Sequence, residues 1–216
     1  MRRFRLLFSA WHTEERYYAN YDFVRQLPLG SLSIYQKLKQ ALGPAQPVLD
    51  LGCGMGYITT FLGATGVDKN PKTIAMAQAA YPGTQFRAAS FQDLVAEGQR
   101  WPAIVCVNML EHLEDPIREE LFAAIPKLLA PDGRFYIVYD SMYHPLQLLS
   151  GLLHPGMLLT DPTHVYCWPQ WKFRRLLAAA FVVESEQGGN ILSRGLPWTN
   201  RFSSARLYVC RPRAKA

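Results

Sequence analysis

Between residues 48 and 56 the chain runs Val-Leu-Asp-Leu-Gly-Cys-Gly-Met-Gly. Glycines at alternate positions behind a short apolar run let the backbone bend sharply and let a ligand approach with no Cβ in the way. A dinucleotide loop needs GxGxxG to close its helix on a pyrophosphate, and counting from Gly52 the third glycine position falls on Tyr57. No Gly-Lys-Ser/Thr is present for a nucleoside triphosphate. The loop does carry a carboxylate, Asp50, two residues ahead of Gly52, and a second, Asp68, eighteen residues beyond it at the end of the next apolar run. A carboxylate at the first place suits an ammonium or sulfonium; one at the second suits the two hydroxyls of a ribose.

A ribose, no phosphate and a cationic amino-acid end together describe S-adenosylmethionine. Methyl transfer from its sulfonium is an in-line displacement, so the protein's task is to hold nucleophile and methyl carbon in line. A hydroxyl acceptor calls for a base; an amine already neutral when bound calls for none. Two places could supply a base. His112 follows the fourth expected strand, and Asp161-Pro162-Thr163-His164 precedes a late helix. His112 can instead be a helix-start residue packed beside the cofactor, and Asp161 and Thr163 can serve only a proline-fixed turn. His144 and His154 each sit beside a proline and are expected to be structural.

The elements that must position these residues alternate in type. Helices are expected over Trp11 to Val24 and from Ser31, a capping residue, to Leu42, where Gly43-Pro44 stops the chain. Next come a strand at residues 48–51, a helix over 57–62, a strand at 65–68, a helix over 71–80 and a strand at 85–89. Ala103 to Val107 is nearly all apolar, the mark of a strand covered on both faces. Asp115 to Ala130 is expected to be helical and bent at Pro126, followed by a turn at Pro131-Asp132-Gly133 and a strand over 134–139. Residues 141–167 form an apolar insert, which could be a lid over an apolar acceptor, a surface resting on a membrane, or core. A helix over 168–180 and strands at 181–184 and 205–210 finish the chain. Such alternation means a parallel sheet with right-handed crossovers. The division expected is N-terminal helices over 1–45 and one α/β domain over 46–216.

The stretch from Val48 to Gly56 is similar to the first motif of the class I S-adenosylmethionine-dependent methyltransferases, and Gly66-Val67-Asp68-Lys69-Asn70 resembles their second. Ser90-Phe91-Gln92-Asp93 lies where that family positions the adenine ring, often with an acid where Ser90 stands. Residues 107–113, Val-Asn-Met-Leu-Glu-His-Leu, and 128–134, Leu-Leu-Ala-Pro-Asp-Gly-Arg, are similar to the fourth and fifth motifs. The resemblance covers about residues 46–186 and leans toward the ubiquinone-pathway-like, small-molecule subset. It implies a Rossmann-like three-layer sandwich: a seven-stranded, mostly parallel sheet with an antiparallel last strand. It further implies cofactor contacts from Asp50, Gly52, Cys53, Gly54, Gly56, Tyr57, Asp68, Lys69, Ser90, Phe91 and Asn108. Some relatives bind a metal through Glu-x-x-Glu-His; Asn108 stands at the first Glu position here, so no metal is expected.

Composition excludes several classes. With 49% hydrophobic and 19% charged residues among 216, the chain is neither disordered nor a coiled coil. The net charge of +6 suggests nucleic acid until it is mapped: Arg2, Arg3, Arg5, Arg211, Arg213 and Lys215 supply all of it, and the body between sums to zero. Neither the Asn/Asp-Pro-Pro-aromatic pattern of base amino methylation nor a Pro-Cys or Thr-Cys pair is present. Four scattered cysteines suggest no disulfide framework and no zinc site, and the first residues are too short an apolar stretch for a signal peptide, so a cytoplasmic setting is expected. The function expected is methyl transfer to a small molecule, possibly apolar, at oxygen, with no nucleic acid and at most peripheral membrane contact. The alternatives are a macromolecular acceptor and a non-catalytic cofactor binder.

Overall fold

The computed structural model describes residues 33–44, 47–140, 168–189 and 205–213. The expected Trp11–Val24 helix, the Ser31 cap, the 141–167 insert with its histidines, the basic N-terminal tail and Lys215 lie outside these residues. Among them no helix is long and apolar enough to cross a membrane.

Short buried strands set up the architecture. β1 (Val48–Leu51) is buried at every position, and β4 (Trp101–Val107) is fully enclosed from Ala103 to Cys106. Around them lie β2 (Thr65–Asp68), β3 (Phe86–Ala88), β5 (Leu129–Asp140), β6 (Phe181–Gly188) and β7 (Ala205–Pro212) in the order β3-β2-β1-β4-β5-β7-β6. The β1 to β5 ladders are parallel. β7 slots between β5 and β6 and runs against both, so it alone is reversed in the sheet. The strand order turns around between β1 and β4, where open α/β sheets bind ligands beyond the carboxyl ends of their strands.

The two-residue strand period sorts the core into two layers. On one face Val48, Ala103, Val105, Tyr136 and Val209 pack with Ile34 and Leu38 of α1 (Ser33–Leu42) and Ile58 of α2 (Tyr57–Leu62). On the other Leu49, Ile104, Cys106, Phe135 and Tyr208 meet Leu121 and Ile125 of α5 (Asp115–Leu128) and Phe173 of α6 (Gln170–Ala180). The Phe173 ring stacks on Tyr139 at 3.9 Å between centroids, and the Tyr139 hydroxyl accepts from the Trp168 N–H (2.6 Å), which fixes the start of α6 on β5. α3 (Pro71–Ala80) joins β2 to β3, and α4 (Phe91–Ala96) joins β3 to β4.

Two local expectations change. Ser90 to Asp93 is the start of α4: the Ser90 hydroxyl accepts from the Asp93 N–H while Asp93 Oδ2 accepts from the Ser90 N–H (2.8 Å), a capping box legible as Ser-x-x-Asp. Pro131-Asp132-Gly133 is not a helix-to-strand turn. β5 begins at Leu129, directly after α5, and the register jumps from Trp101↔Leu129 to Ala103↔Arg134, so the three residues bulge out of a strand that continues. A Cβ on Gly133 would stand 2.9 Å from the Trp101 carbonyl oxygen, which is why a glycine holds that place.

Candidate cofactor and acceptor site

Leu51 ends β1, and the chain turns through Gly52, Gly54 and Gly56 with φ of 76°, 52° and 79°, a region side chains disfavour. Both sides of the turn are tight. A Cβ on Gly52 would lie 2.1 Å from the Met109 sulfur, and one on Gly56 would lie 2.3 Å from the Phe86 ring. The Gly52 and Cys53 N–H groups donate to the Val67 carbonyl at 2.8 and 3.1 Å, which staples the loop to β2. The Cys53 side chain is buried and packs toward Gly66, and burial pushes its thiol far above the ordinary range. Its side chain is therefore packing under the loop, while its backbone belongs to the turn.

The two acids have different roles. Asp68, half-buried at the end of β2, accepts from the Gly54 N–H on Oδ2 (3.1 Å) and from the Asn70 N–H on Oδ1 (2.9 Å). Each oxygen keeps a further lone pair for a donor. Asp50 is 2% exposed and lies within the core below the loop, where its Oδ2 accepts from the Thr59 hydroxyl at 2.7 Å. Burial pushes its pKa up to about 7; the Thr59 bond pulls it down and the charge of Asp68 pushes it further up. Thr59 went unnoticed in the sequence, where its one sign is a polar residue on the inward side of α2.

The remaining expected residues surround this loop at different depths. Tyr57 opens α2 and is half-buried, Lys69 is exposed, and Phe91 is half-buried at the start of α4. The Ser90 hydroxyl donates to Asp93 Oδ2 (2.7 Å) within the capping box. Asn108 ends β4 with φ 48°, and the chain then passes Met109 into a single 3-10 turn, Leu110–His112. His112 is half-buried and its N–H donates to the Met109 carbonyl (3.0 Å); Glu111 beside it is buried. Asp161 and His164 lie outside the described residues.

Residues 48–133 match a family described as a methyltransferase domain. Residues 48–133 thus carry a methyltransferase domain, in keeping with the motifs' resemblance to the class I S-adenosylmethionine-dependent methyltransferases. A ubiquinone biosynthesis O-methyltransferase from Xylella fastidiosa is 28% identical over 171 residues, 61% of this chain and 68% of its own length. Another from the same species is 35% identical over 131 residues, 55% of this chain and 52% of its own, so the chain spans about half of that relative. Among solved structures, an S-adenosylmethionine-dependent methyltransferase from Clostridium acetobutylicum shares the fold with a TM-score of 0.64 at 12% identity, over 93% of this chain and 99% of that one. The cofactor of this methyltransferase is S-adenosylmethionine. The site fits it: the Gly54 backbone runs beside a strand-end carboxylate, Asp68, with unspent lone pairs for hydroxyl donors.

Proposed function

We propose that this methyltransferase transfers the methyl group to an oxygen of a small-molecule acceptor, with His112 taking the proton. The observation that supports this most is the exit of β4: Met109 packs against Gly52, so the turn bearing His112 stands directly beside the cofactor loop. The O-methyltransferase relatives favour oxygen as the acceptor atom.

When bound, S-adenosylmethionine supplies an electrophilic methyl on a sulfonium that leaves as a neutral thioether. The chain's residues do the rest. Asp68 would accept from the ribose hydroxyls, the backbone of residues 52–56 would line the amino-acid end, and Tyr57, Lys69, Ser90 and Phe91 would frame the adenosine. Asp50, in its ionised form, places a negative charge under the loop that favours a cation above it. Alignment of the reacting atoms is worth about 7–11 kcal/mol. A ring nitrogen of His112 receives the acceptor's proton, a contribution of about 10²–10⁴-fold. Asp161 and His164 are the second place from which a base could come. Buried, free Cys53, Cys106 and Cys210 suit a reducing, cytoplasmic setting.

The test is transfer of a labelled methyl group from S-adenosylmethionine into small-molecule extract. His112→Ala should lose at least about 100-fold in rate while keeping cofactor affinity. An unchanged rate in both His112→Ala and His164→Ala would remove histidine bases from the mechanism.

A further inference from the structure

Asn108 combines two costly features. It is the only non-glycine residue with positive φ among the described residues, at 48°. Asparagine tolerates that conformation better than other side chains, yet it remains sparsely populated. Its carboxamide oxygen is also buried with no hydrogen-bond partner. Buried polar atoms are nearly always paired, and strained backbone gathers at functional sites. Both features fall on one residue at the carboxyl edge of β4, at the point where the sheet order reverses.

Two molecules meet at that edge. In the proposed reaction the cofactor's ribose and cationic end would be served from β2 and from the loop after β1, which lie on one side of β4. The Met109 sulfur already fills the space against Gly52 on that side. Asn108 is tied the other way, its N–H donating to the Val138 carbonyl of β5 at 3.0 Å. A neutral amide oxygen is also a weaker partner for a cation than a carboxylate is.

Building on the proposed methyl transfer, we infer that Asn108 Oδ1 accepts a hydrogen bond from an O–H or N–H of the methyl acceptor, which selects hydroxyl- or amine-bearing acceptors over carboxylates. An acceptor-only oxygen repels a carboxylate and pairs with a donor. A site built around such a bond rejects analogues that lack the donor far better than an apolar pocket does. Asn108 takes no proton, because an amide oxygen is not basic near neutral pH. It orients the acceptor while the proton of a reacting hydroxyl goes to His112.

Asn108→Gly tests this without endangering the fold, since glycine takes φ 48° freely. The melting temperature should stay within about 3 °C of the parent's or rise, because an unpaired buried oxygen is removed. The dissociation constant for S-adenosylmethionine should change by less than about 2-fold, while labelled transfer into small-molecule extract falls by at least about 10-fold. The label placed by the unaltered protein should resist alkali, as an ether or methylamine does. A melting temperature lower by more than about 5 °C would make Asn108 structural, weakened cofactor binding would make it a cofactor residue, and alkali-released methanol would show a carboxylate acceptor; each overturns the inference alone. Failure of the unaltered protein to bind S-adenosylmethionine would instead bring down the methyl-transfer reading and this inference with it.

Discussion

The carboxylate of Asp50 accepts from the Thr59 hydroxyl at 2.7 Å and has no cation beside it among the described residues. Its folded pKa of about 7 stands above the value of about 4 of an unfolded aspartate. Protonated Asp50 therefore favours the fold, and that contribution is complete below about pH 4 and lost as the pH rises through about 7. Asp50→Asn keeps an acceptor for Thr59 and removes the titration. Its unfolding free energy in urea should exceed the parent's by up to about 4 kcal/mol at pH 8, with the gap narrowing toward pH 5. An equal gap at both pH values would mean that Asp50 stays ionised throughout. Asp68 is bound by backbone N–H groups on both its oxygens. Asp68→Ala should weaken S-adenosylmethionine binding by about 1–3 kcal/mol in calorimetry, and unchanged affinity would place the ribose elsewhere. At this scale the sequence shows where the acids stand, two residues before Gly52 and at the end of β2. It does not show which of them is buried, since that depends on α2 folding back to bring Thr59 over Asp50.

Helix α3 carries the residue scale into the element scale. Asn70 caps it, its Oδ1 accepting from the Lys72 N–H (3.0 Å) and the Thr73 N–H (3.4 Å), with Pro71 in the first turn. The same residue's N–H orders Asp68. Asn70→Ala should cost about 1 kcal/mol of stability in urea unfolding. It should weaken cofactor binding less than Asp68→Ala does, because the backbone donor survives. A loss of affinity equal to that of Asp68→Ala would show that the cap, and not the carboxylate, shapes the ribose site. Most elements were legible because their signals are local: apolar runs for β1 and β4, prolines at the starts of α3 and α5, glycines in the loop. α4 is hard to read from sequence because Ser90 to Asp93 carries two signals at once, a resemblance to a family binding segment and the Ser-x-x-Asp of a capping box. The bulge at 131–133 looked like a turn because Pro-Asp-Gly has the same local chemistry in both settings, and only pairing with β4 separates them.

Across the whole molecule, the reversed strand β7 decides which edge is exposed. Its place between β5 and β6 comes from pairings such as Tyr136↔Val209 and Val183↔Cys210, too distant for any local pattern to reveal; the family resemblance implies only its antiparallel sense. The body that sums to zero charge is polarised in space. Within that body α6, β6 and β7 carry Lys172, Arg174, Arg175 and Arg206 against Glu184 and Glu186. Those two glutamates bridge elements: Glu184 joins Arg134 (2.7 Å) of β5 to Arg211 (3.3 Å) of β7, and Glu186 joins Arg174 (3.1 Å) of α6 to Arg206 of β7. Such half-exposed pairs add little energy singly and serve to hold the edge strand in register. The half of the sheet around β1 and β2 carries the carboxylates Asp50 and Asp68, where the cationic cofactor is proposed to sit.

Titration calorimetry with S-adenosylmethionine and with its demethylated product asks most directly whether that half of the sheet was shaped for this ligand. Saturable one-to-one binding of both is expected, weakened in parallel by Asp68→Ala. No heat from either ligand at high micromolar concentration with a folded protein would contradict it.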